Sequence, residues 1–110
     1  MAIQYSEVFP LLATSVTGVE ADDEDRKEPT PYFFLSDMIR FVCRRAESGS
    51  FIEAEQLGAL LSKLQAEGDD DVQDLVSDGL DALSGRPAQD EIVRHFSPSL
   101  MTLWKSRTGQ

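Results

Sequence analysis

The chain of 110 residues has one cysteine, Cys43, and one histidine, His95. A single thiol excludes an internal disulfide and a cysteine-built zinc site, and a single imidazole leaves no pair of metal ligands at ligand spacing. Basic residues are scarce as well, with 10 Lys and Arg against 20 Asp and Glu, a formal charge of −10 and a pI of about 4.3. That balance argues against a nucleic-acid binder, whose phosphate contacts need clustered cations, and against an anionic membrane surface. No run approaches the roughly 18 apolar residues of a membrane span. The opening Met1-Ala-Ile-Gln-Tyr-Ser-Glu also lacks the basic and apolar regions of a secretory signal, so a cytoplasmic chain is expected. No segment alternates with period two for long enough to make a strand.

What is present is helical periodicity. Hydrophobic residues at 41% and charged residues at 27% are ordinary globular usage, and the length suits one domain over residues 1–110. Over residues 3–16, Tyr5, Val8, Phe9, Leu12 and Val16 follow helical spacing, and Pro10 predicts a kink or an end near Phe9. Residues 18–30 read as an acidic connecting loop. Thr30-Pro31 then offers a cap and a first helical position, and Phe33, Phe34, Met38, Ile39, Phe41, Val42 and Ala46 make the second helix the expected central element, closed by Gly49. Ser50-Phe51-Ile52-Glu53 matches a capping box and opens a third helix carried by Ile52, Leu57, Leu60, Leu61 and Leu64. Asp69 is placed to cap a fourth, which ends near Gly85-Arg86-Pro87; Ile92 and Val93 mark a short fifth, and Ser97-Pro98 starts the last. The expected fold class is all-α, a compact bundle of about five helices with stacked helical hairpins.

Within the fourth helix Asp71, Asp74, Asp78 and Asp81 recur at steps of three, four and three. At 100° per residue they share a sector of about 80°, beside the apolar stripe of Val72, Leu75, Val76, Leu80 and Leu83. No lysine or arginine lies between Glu67 and Gly85. Like charges at such spacing cost roughly 0.2–0.5 kcal/mol per pair, so the stripe must anchor the helix while the carboxylates form an outward ridge. With Asp69 and Asp70 extending it at the turn, the ridge is the candidate surface for a basic protein partner. Gly79, in the middle of the stripe, predicts close approach of a neighbouring helix.

Catalytic and cofactor signatures are missing. Asp69-x-Asp71-x-Gln73 resembles the start of a calcium loop, but Asp74 stands where glycine is required and Leu80 where a bidentate glutamate belongs. Exposed carboxylates on a helix lack the burial that raises one pKa for acid catalysis. His95 has no nucleophile-elbow partner, no phosphate-binding glycine loop occurs, and Cys43 lies in a helical pattern as a structural thiol. Neither an enzyme nor a cofactor or metal site is expected. Phe33, Phe34, Phe41, Phe51, Phe96 and Trp104 read as core and cap residues, and any exposed together would mark a contact surface. A homodimer through an exposed apolar helix face is compatible with the sequence.

Three stretches carry a resemblance: Pro31-Tyr-Phe-Phe-Leu-Ser-Asp-Met-Ile-Arg-Phe-Val, Gly68-Asp-Asp-Asp-Val-Gln-Asp-Leu-Val-Ser-Asp-Gly-Leu-Asp-Ala-Leu and Phe96-Ser-Pro-Ser-Leu-Met-Thr-Leu-Trp. Together they resemble a large family of small helical bacterial proteins found beside toxin systems and similar to immunity proteins. Members often carry a phenylalanine after the glycine of V-x-x-L-V-x-x-G and a glutamate two positions later, where this chain has Leu80 and Ala82. The resemblance implies a non-enzymatic protein that binds a toxin, and brings no catalytic residue. The expectation is therefore an inhibitor that occludes a basic surface. The alternative is a structural or regulatory adaptor that binds a partner through an apolar helix groove.

Overall fold

Pro10 sits where a helix has no use for an N–H. The computed structural model describes residues 2–19 and 30–109, and the helix runs on through this proline without stopping near Phe9. A 3-10 turn at Tyr5–Glu7 leads straight into α1, Val8–Ser15, which places Pro10 in the first turn, among amides that lack intrahelical acceptors. Val8 and Leu12 are fully buried, and Phe9 packs its ring on Phe34 with centroids 5.0 Å apart. The acidic loop expected at 18–30 falls largely on residues 20–29, outside the described residues.

The second helix, α2, spans Pro31–Glu47 with the proline at its first position, although the Thr30 hydroxyl makes no capping bond. Phe34, Leu35, Met38, Ile39, Val42, Cys43 and Ala46 turn inward. Arg44 and Arg45 occupy the last turn, where cations complement the helix dipole. Gly49 follows with φ of 91°, a left-handed conformation that glycine adopts without steric cost.

The next helix, α3, spans Ile52–Glu67, and its cap position is Phe51 rather than Ser50. The expected capping box is thus absent as such. Ser50 Oγ instead donates to Glu53 Oε2 at 2.8 Å, and Arg45 Nε donates to Glu53 Oε1 at 3.1 Å. The S-x-x-E signal therefore builds a buried polar link between α2 and α3, with Glu53 only 3% exposed.

An antiparallel partner, α4, spans Asp70–Leu83 after a turn at Gly68 and Asp69. The turn is tight: a Cβ on Gly68 would come 2.3 Å from a Val72 methyl and 2.5 Å from the Leu64 carbonyl. Gln73 reaches back from the first turn of α4, and its Nε2 donates to the carbonyls of Gln65 at 2.5 Å and Gly68 at 3.2 Å, two of the groups a helix end leaves open. Val72, Leu75, Val76, Gly79, Leu80 and Leu83 are all buried, as the stripe predicted. Gly79 meets α2 closely, with Leu35 Cδ2 2.8 Å from where its Cβ would stand.

Two short helices close the fold, α5 at Gln89–Val93 and α6 at Pro98–Thr108. Ser97 caps α6 by accepting from the Leu100 N–H at 3.2 Å, and Phe96 packs edge-on to Trp104 with centroids 6.0 Å apart. Among the described residues the fold is all-α with six helices and no strand, only an isolated parallel bridge between Ile3 and Gly68. The centre is α3 rather than α2, because α3 packs against every other α-helix. Small residues make this possible: a Cβ on Gly58 would lie 2.6 Å from His95 Cβ and 3.0 Å from the Ile92 carbonyl, so the α5–α6 connection rests directly on the α3 backbone.

The aromatic expectation divides. Phe34, Phe96 and Trp104 are buried and Phe41 is partly buried, whereas Phe33 and Phe51 are solvent-exposed at 64% and 49%. Each sits near the start of its helix, Phe33 outside the inward stripe of α2 and Phe51 ahead of α3, so neither can reach the core.

Candidate functional site

The acidic ridge forms because α4 has to turn its apolar stripe toward α2 and α3, which leaves Asp70, Asp71, Asp74, Asp78 and Asp81 on the solvent side. The six aspartates singled out from the sequence then take four different roles, with Asp71 sharing in two.

Asp69 acts as the cap of α4, with Oδ1 accepting from the Val72 N–H at 2.9 Å. Its second oxygen accepts from the Tyr5 N–H at 3.2 Å, so both oxygens of this carboxylate have partners within the molecule. Asp70 and Asp71 occupy the first turn, where negative charge complements the helix dipole.

At the opposite end the dipole disfavours anions, and the fold supplies a cation from a distant element. Arg107 of α6 grips Asp81 with both arms, Nε to Oδ1 at 3.0 Å and Nη2 to Oδ2. The hydrogen bond to Asp81 pushes the Arg107 guanidinium still higher than its ordinary value; slight desolvation opposes this, and the charges of Asp81 and Asp78 add to it. The ridge is therefore neutralised at Asp81 by a residue 26 positions away, which local sequence could not reveal.

Asp71, Asp74 and Asp78 remain together. They line an open groove of ≈ 290 Å³ with Leu75, Tyr5 and Tyr32. Among the described residues no lysine or arginine forms an ion pair with any of the three. Both tyrosines are exposed, and Tyr32 continues edge-on to Phe33 with ring centroids 5.3 Å apart. The groove thus combines three carboxylates, two tyrosines and one leucine in its lining. Such a lining suits a cation with an apolar stem: the carboxylates accept charged hydrogen bonds, and tyrosine faces attract guanidinium or ammonium groups.

The two tyrosines escaped the sequence reading. Tyr5 falls in the apolar spacing of the first segment and so reads as core, while Tyr32 follows the proline that starts α2. The segment before α1, lying across the α3–α4 turn, brings Tyr5 to the ridge, and the packing of α2 on α4 brings Tyr32.

Elsewhere the chemistry is structural. Burial raises the Cys43 thiol, an effect that the Arg86 charge opposes and Glu47 reinforces, so the buried sulfur stays protonated. His95 is half-buried, its Cβ against Gly58 and its N–H bonded to the Ile92 carbonyl at 3.1 Å. Burial alone would raise the Glu53 carboxyl, but hydrogen bonds from Ser50, its own amide and Arg45, together with the Arg45 charge, outweigh this and lower it. Among the described residues no cluster of three or more His, Cys, Asp or Glu is arranged to hold a metal ion, and no helix is long and apolar enough to cross a membrane. A second groove, between α1 and α3, is lined by Ile3, Pro10, Leu11 and Thr14 opposite Lys63 and Glu67. Comparison with protein-family models, curated proteins and solved structures finds no match for this chain.

Proposed function

We propose that the protein is a non-enzymatic, protein-binding inhibitor of the immunity type, which neutralises a bacterial toxin in the cytoplasm by covering a basic surface on it. One observation carries this reading: Asp71, Asp74 and Asp78 line a single groove with two exposed tyrosines, and no described cation pairs with them. Three carboxylates at helical spacing with no ion-pair partner repel one another along the helix, and a basic partner converts that repulsion into attraction. The mechanism is occlusion. Long-range attraction steers the partner in, and arginine or lysine side chains then seat between the tyrosines and the aspartates.

The test is association kinetics across a salt series with the partner captured from the native host. Replacing Asp71, Asp74 and Asp78 by asparagine should slow association at low salt and leave little difference at high salt. Equal association rates for the triple variant and the parent at low salt would refute the groove.

The α1–α3 groove supports a second reading, an adaptor that seats an apolar helix beside Leu11 and Pro10. That reading requires binding that salt does not weaken and that Leu11→Asp abolishes.

A further inference from the structure

Residues 3–7 lie across the α3–α4 turn with little apolar burial to hold them. Ala2, Gln4, Tyr5, Ser6 and Glu7 are exposed, and only Ile3 is partly buried. The segment is tied down by polar contacts. The Ile3 N–H donates to the Glu67 carbonyl, the Asp69 N–H donates to the Ile3 carbonyl at 2.9 Å, and the Tyr5 N–H donates to Asp69 Oδ2 at 3.2 Å. Two of these three bonds pass through residue 69.

A helix cap needs one acceptor oxygen, and Ser, Thr, Asn and Asp serve nearly alike. Asp69 spends Oδ1 on this task. A second acceptor oxygen is needed only for Tyr5, and among these four residue types only the carboxylate has one. We infer that Asp69 is a clasp: one oxygen caps α4 while the other fastens residues 3–7 over the turn and so holds Tyr5 in place in the lining of the acidic groove. It is a positioning residue, acting through Tyr5, and is not itself presented to a partner. The value of Tyr5 in that lining rests on the groove reading proposed above; the clasp does not.

Two variants separate cap from clasp. Asp69→Asn keeps one oxygen for Val72 and turns an amide donor toward the Tyr5 N–H, and Asp69→Ser keeps a capping hydroxyl too short to reach it. Hydrogen exchange in each should show the Tyr5 and Ile3 amides exchanging about tenfold faster while the Val72 amide stays protected. Unchanged exchange at Tyr5, or equal loss at Val72 and Tyr5, would overturn the clasp. A short oligoarginine peptide added at low salt should shift the Tyr5 ring resonances of the parent and shift them much less in both variants. If the peptide leaves the parent's Tyr5 and Tyr32 rings unmoved while the exchange result holds, the groove reading fails and the clasp stands.

Discussion

Arg107, near the end of α6, closes a two-armed ion pair on Asp81 of α4. The contact sets where the acidic face ends. Beyond it, toward the start of α4, the carboxylates of Asp78, Asp74 and Asp71 have no such partner among the described residues. Arg107→Gln should therefore lengthen the negative face by one charge and speed association with a basic partner at low salt. It should leave stability at high salt unchanged, since exposed ion pairs contribute little once screened. Stopped-flow association and thermal melts at two salt concentrations measure both halves.

Asp74 stands between Asp70 and Asp71 on one side and Asp78 on the other, so it meets like charge in both directions along the helix. Asp74→Asn should stabilise the free protein by about 0.5–1 kcal/mol, the sum of two or three relieved pairs, while weakening partner binding. Opposite signs for stability and binding distinguish a surface kept for recognition from one kept for solubility. Chemical denaturation paired with an affinity measurement reads both.

Much of the fold is legible in the sequence because it depends on short-range rules. The stripe from Val72 to Leu83, the caps Asp69 and Ser97 and the helix stop before Gly49 all follow from spacing within one or two turns. The site is less legible because its defining contacts span the chain. Tyr5 meets Asp69 across 64 residues and Arg107 meets Asp81 across 26, distances over which spacing carries no information. Position 53 shows the same boundary at closer range. Ser50 and Glu53 have the spacing of a capping box, yet Arg45, arriving from α2, draws the glutamate inward and the two side chains bond each other. The central role of α3 was hidden for another reason: Ala54 and Gly58 mark it by smallness, and hydrophobic periodicity does not count what is absent.

Glycine substitutions test that role. Gly58→Ala puts a methyl 2.6 Å from His95 Cβ and 3.0 Å from the Ile92 carbonyl, atoms fixed by backbone, and should cost about 1–3 kcal/mol through forced displacement. Gly79→Ala meets the end of the Leu35 side chain at 2.8 Å, which can shift, and gains up to about 1 kcal/mol of helix propensity. The second variant should remain within about 1 kcal/mol of the parent. Urea denaturation of the two single variants decides it, and equal destabilisation would show that α2 and α4 fit as rigidly as α3 and the α5–α6 connection.

Glu53 gives the fold an acid-sensitive joint. Its folded carboxyl lies below the ordinary value of 4.5, because hydrogen bonds from Ser50, its own amide and Arg45 and the Arg45 charge outweigh the effect of burial. A group depressed in the folded state binds its proton more readily when unfolded. Its stabilising contribution is therefore complete above the unfolded value of about 4.5 and fades as pH falls through the lower folded value. Glu53→Gln keeps the shape and removes the titration, so the variant should be less stable than the parent at neutral pH and the gap should narrow as pH drops below 4.5. Glu53→Ala leaves the Ser50 hydroxyl and the half-exposed Arg45 Nε–H to water, a loss of about 0.5–1.5 kcal/mol at neutral pH. Denaturant midpoints for parent and both variants, taken at neutral pH and at steps through the acid range, measure the joint directly; a parent-to-Gln gap that stays constant across that range would place the acid response on other carboxylates.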